Sequence, residues 1–150
     1  MKMYDRYFTP LEAEQLIPTL EKILEGIQST QRALDASDGE FTFLAKKITT
    51  SGGMRVNLDH WRSQRVQREA LATKIAQDVG TLKGIGVVLK DVGTGLVDFP
   101  AILENEEIFL CWKSGETQIQ YWHRIGDDYA SRKRLTADAV SSSKDRKPVQ

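Results

Sequence analysis

The chain has 150 residues, with 21 Lys plus Arg balanced by 21 Asp plus Glu, and a single cysteine. That length suits one domain able to bury roughly 70% of its unfolded surface, and one cysteine excludes a scaffold held by intrachain disulfides. Zero formal charge gives little general attraction for nucleic acid or an anionic membrane, no apolar run approaches the roughly 18 residues of a membrane span, and MKMYDRYFTP does not read as a signal peptide, so cytoplasm is the expected compartment.

Thr9-Pro10-Leu11-Glu12 reads as a helix start. Thr9 can accept from free backbone amides, Glu12 can reach back to the cap, and Pro10 sits where a missing N–H is harmless. Leu16, Leu20, Ile23 and Ile27 then recur at helical spacing, widened by Ile17 and Leu24. The expected helix spans about 10–34, loosened at Pro18 and ended by Ser37-Asp38-Gly39. Residues 40–56 carry mixed signals, with Thr49 to Gly53 reading as a loop. A second helix is expected over about 58–82, capped by Asn57 or Asp59 and stopped near Gly84 and Gly86, with an imperfect stripe through Trp61, Val66, Leu71, Ile75 and Leu82.

After Gly86 the pattern turns strand-like. Val87 to Leu89, Leu96 to Phe99, Ile108 to Lys113 and Ile119 to Arg124 are expected strands, with turns at Asp91–Gly95, Glu104–Glu106 and Ser114–Glu116. Pro100 is expected to end or bulge the second of them. The fold class is therefore α+β: two long antiparallel helices packed on a small antiparallel meander sheet over about 85–124, in a single domain over 1–135. Residues 136–150 form a polar tail without an apolar anchor, read as disordered.

Leu89-Lys90-Asp91, Gly95-Leu96-Val97-Asp98-Phe99-Pro100, Leu110-Cys111-Trp112-Lys113 with Gly115-Glu116, and Tyr121-Trp122-His123 follow an opening that carries Phe8-Thr9, Glu12-Ala13 and Leu16-Ile17-Pro18. In this order the segments resemble the prokaryotic family "domain of unknown function 2203", over most of residues 7–135. The resemblance implies a cytosolic bacterial or archaeal protein and implies no activity.

Asp98 stands out as a carboxylate inside an apolar strand, which is costly when buried without a partner. Alternation puts Ile119, Tyr121 and His123 on one face of the last strand. Asp98, His123 and, more weakly, Glu116 are the candidate ligands of a divalent metal, with Tyr121 added for a small polar ligand. The plainer reading makes Asp98 an edge-strand carboxylate and His123 a rim histidine bonded to a neighbour. Asp91 is a further oxygen donor, and His60 is the only other histidine. No HxH, HExxH or CxxC spacing supports zinc. Cys111 reads as a buried, inert thiol, and Trp112 with Trp122 as a cross-strand aromatic pair.

Two functional readings follow. The first is a non-enzymatic module that self-associates as a homodimer through its helices or binds a protein partner. The alternative is a metal- or small-ligand-binding protein, hydrolases included, that uses the Asp/Glu/His cluster on the sheet.

Overall fold

The computed structural model describes residues 3–50 and 58–136. The possible cap Asn57, loop residues 51–53 and the tail beyond Thr136 lie outside the described residues. The elements in chain order are α1 (Pro10–Thr50), α2 (Leu58–Ile85), β1 (Val88–Asp91), β2 (Leu96–Leu103), β3 (Glu106–Lys113), β4 (Tyr121–Arg124), a short 3-10 turn (Tyr129–Ser131) and β5 (Lys133–Arg134). Two long helices pack against a small antiparallel meander, in the strand order β1-β2-β3-β4-β5. By contacts the chain divides into two compact units, Met1–Leu24 with Gly80–Gln150, and Glu25–Val79.

In the first unit, α1 begins with a reciprocal cap. The Glu12 amide donates to Thr9 Oγ1 at 3.2 Å, and the Thr9 amide donates to Glu12 Oε1 at 3.1 Å. Phe8 sits edge-on to Phe99, and its amide donates to the Pro100 carbonyl at 2.8 Å. Farther along, Glu14 Oε1 accepts the Ile119 amide. These contacts seat the start of α1 on the sheet. Val97, Phe99 and Ala101 of β2 and Ile108, Leu110 and Trp112 of β3 are all buried on one side of it.

Pro100 neither ends nor bulges β2, contrary to the sequence expectation. The register with β3 is unbroken from Leu96↔Lys113 to Leu103↔Glu106. The Pro100 carbonyl points away from β3, toward Phe8, so its nitrogen faces the same way. β1 has already ended there, at the Val88↔Asp98 pair, so no ladder hydrogen bond is lost. Between β2 and β3, Glu104 and Asn105 both have positive φ, as a two-residue type I′ turn requires. The sheet also extends past the expected 124, because Lys133 and Arg134 pair with Trp122 and Tyr121. Trp122 stands opposite Leu110 rather than Trp112.

The second unit holds the larger correction. α1 does not end at Ser37-Asp38-Gly39 or near residue 34; it continues to Thr50. Asp38 is ion-paired with Arg68, Phe41 packs on Trp61 with ring centroids 4.4 Å apart, and Arg68 lies over Phe41. Tertiary pairing with α2 thus outweighs three residues of turn chemistry. A Cβ at Gly39 would meet nothing within 4 Å.

Candidate metal centre

Three adjacent strands bring three donors together. Asp98 of β2 is registered directly against Cys111 of β3, and Phe109 of β3 against His123 of β4. Side chains two apart on a strand share a face. Asp98, Cys111, Phe109, Tyr121 and His123 therefore all lie on the sheet face opposite Phe99 and Leu110. One ligand atom from each of Asp98, Cys111 and His123 lies within 4.8 Å of the others, and all three residues are buried. Asp98 is not at an edge, because it pairs with Val88 on one side and Cys111 on the other; His123 is buried and pairs with Phe109, just past the β4 residues that β5 covers.

His123 is oriented by its backbone contact. Nδ1 lies 2.9 Å from the Arg124 carbonyl, which can only accept, so Nδ1 carries the proton. Nε2 is left facing Asp98 Oδ2 at 3.0 Å. Asp98 Oδ1 is buried and finds no hydrogen-bond partner among the described residues. Burial pushes the Asp98 carboxyl up, while His123 and, more distantly, Lys90 pull it down. Burial, reinforced by the negative charge of Asp98, pushes the Cys111 thiol up to about 11, against the opposing pull of Arg132.

The other residues singled out from sequence fall elsewhere. Glu116 accepts the Lys113 amide at 2.7 Å and binds Arg132 Nη1 through both oxygens, at 3.2 and 3.1 Å. It is not part of the three-donor group. Tyr121 shares the face of the group, and the Arg132 guanidinium stacks 3.8 Å from its ring centroid. Asp91 is used by its own turn, accepting from the Thr94 amide and hydroxyl, which holds its carboxyl below the usual range. His60 lies on α2, in the second unit, and does not belong to the group.

The sequence reading passed over Cys111 as a donor. A signal for it was present: with Glu104-Asn105 as a two-residue turn, equal steps back along both strands set Asp98 opposite Cys111. The arrangement does not make Cys111 a histidine-activated nucleophile. The Nε2 that would have to take its proton faces Asp98, and Nδ1 is engaged by a carbonyl.

A family model described as "Uncharacterized conserved protein (DUF2203)" matches residues 6–135. The chain belongs to the DUF2203 family. No curated protein and no solved structure matches it. The matched DUF2203 span contains all three donors, together with Arg132 and Glu116. Among the described residues, no helix is long and apolar enough to cross a membrane.

Proposed function

We propose that this DUF2203 protein binds a divalent metal ion through Asp98, Cys111 and His123, with zinc preferred over magnesium. The observation that supports it is Asp98 Oδ1, a buried carboxylate oxygen with no hydrogen-bond partner among the described residues, beside a thiol and a directed imidazole nitrogen. Such an oxygen is costly unless a cation or a hydrogen-bond donor meets it. A mixed thiolate, imidazole and carboxylate set suits zinc, whereas magnesium takes oxygen ligands and water. Tetrahedral zinc would set nitrogen and oxygen about 3.3 Å apart and each about 3.5 Å from sulfur; Nε2 and Oδ2 lie 3.0 Å apart, and the three donor atoms all lie within 4.8 Å of one another. The Arg124 carbonyl on Nδ1 is the kind of contact that orients a ligating histidine.

Three protein donors leave one tetrahedral position for water or a ligand, the arrangement found in hydrolytic zinc sites. That is the sense in which a hydrolase remains part of this reading. A cytoplasmic setting would keep Cys111 reduced and able to ligate.

The test is calorimetric titration of zinc into chelator-stripped protein. One ion per chain is expected, and Cys111→Ser or His123→Gln should weaken binding by about a hundredfold or more, beyond the effect of changing a residue that only orients a ligand. No binding by the unmutated protein at about 100 μM would overturn the proposal.

Self-association as a homodimer is the second reading. It draws on exposed apolar side chains of the helical unit, with Phe43, Leu58 and Val66 each more than 60% accessible. Light scattering at high micromolar concentration decides it, and a monomer mass rejects it.

A further inference from the structure

The sheet face that carries Asp98, Cys111 and His123 has more unpaired positive than negative charge. Glu116 is matched by Arg132, while Glu107 keeps its negative charge, because the Tyr7 hydroxyl and Met3 amide that donate to it are neutral. Lys90, Lys113 and Arg134 make no ion pair among the described residues, and all three belong to this face or its margin. The Lys90 ammonium lies 5.2 Å from the Phe109 ring centroid, and the Phe109 ring lies 5.5 Å from that of His123. Arg134 is registered against Tyr121, and Lys113 follows Cys111 by two residues on β3.

We infer that the fourth position of the proposed metal centre takes an oxyanion, a carboxylate or phosphate group, and that Lys90 is the cation that pairs with it. The inference rests on the metal reading above. A divalent ion held by a thiolate, a carboxylate and a neutral imidazole has no net charge, so the centre alone does not favour an anion over water. The added preference must come from neighbouring cations. Arg132 is engaged by Glu116, whereas Lys90 approaches the histidine from the Phe109 ring, which lies against both. Phe109 seats the Lys90 ammonium by cation–π contact, and its donors make no hydrogen bond among the described residues. Arg134, registered against Tyr121, and Lys113, whose ammonium lies 5.6 Å from the Tyr129 ring centroid, add to the positive field.

Cobalt(II) in the full chain tests this with a readout independent of any activity. The thiolate-to-cobalt absorption band is recorded first, and inorganic phosphate or acetate is then titrated while the visible cobalt bands are followed. The unmutated protein should show saturable spectral change with at least one of the two anions, and the arm with the tighter response assigns the source as phosphate or carboxylate. Lys90→Met should raise the anion concentration needed by about tenfold, the scale of one charge-assisted hydrogen bond, with cobalt affinity changed less than about threefold. Lys113→Met should have a smaller effect. Failure to form the cobalt–thiolate band would overturn the metal centre itself, and this inference with it. A normal band that neither anion perturbs, or an equal response in Lys90→Met, would overturn the anion site alone.

Discussion

His123 Nε2 lies 3.0 Å from Asp98 Oδ2, although their strands never pair: β3 runs between β4 and β2. Two interstrand steps separate the backbones by about 10 Å. Both side chains must therefore lean across β3, and they converge beside its Cys111. The pair ties three strands together, and its removal should be felt in stability as well as in ligand binding.

His123→Ala should cost about 3 kcal/mol in urea unfolding, because it leaves Asp98 buried and unpaired. Asp98→Asn should cost about 1–2 kcal/mol less than that, because its amide can still donate to Nε2. Losses below about 1 kcal/mol for His123→Ala would mean that water reaches Asp98.

Metal affinity should rise with pH. The metal-free thiol is held protonated up to about 11 by burial and by Asp98. An ion that uses Cys111 must therefore displace at least one proton at neutral pH. Between about pH 6 and 8 the binding constant should increase about tenfold per pH unit. Isothermal titration in two buffers of different ionisation enthalpy counts the protons released. A pH-independent affinity would remove the thiolate from the ligand set.

Alkylation reports the same thiol without any metal. At pH 8, Cys111 in the folded, metal-free protein should react with iodoacetamide about a hundredfold more slowly than in the urea-unfolded chain, since both its thiolate fraction and its access are low. Mass spectrometry of timed aliquots measures the ratio. Equal rates would show that the β3 face opens readily.

Gly95→Ala should lower the melting temperature and cost about 2 kcal/mol. Gly95 has φ near +70°, and a Cβ there would come within 2.5 Å of Ser114 Cβ. Thr9→Ala should cost about 1 kcal/mol through the lost cap. Reversal of that order would mean that the β1–β2 turn relaxes more easily than the helix start frays.

The start of α1, the stop at Gly86 and the turns of the meander were legible because each depends on neighbours in sequence. A cap needs only Thr9 and Glu12; a helix stop needs only a glycine able to take positive φ, as Gly86 does. The end of α1 was not legible, because Asp38 and Phe41 are held helical by Arg68 and Trp61, roughly one helix away along the chain. Pro100 was misread for a similar reason: whether its missing N–H matters depends on where β1 ends, which is a property of the partner strand.

The candidate site divides along the same line. The sequence alone marked Asp98 as an anomalous carboxylate and put Tyr121 and His123 on one face, since strand alternation is a local rule. Only the tertiary structure decided that Cys111 rather than Glu116 stands with Asp98 and His123. Sharing a face does not set which side chains meet across strands. Register does, and it is fixed by turn geometry and by the burial of the opposite face. Glu116, one turn beyond β3, could reach either the cluster or Arg132, and the return of the chain through β5 put Arg132 within its reach.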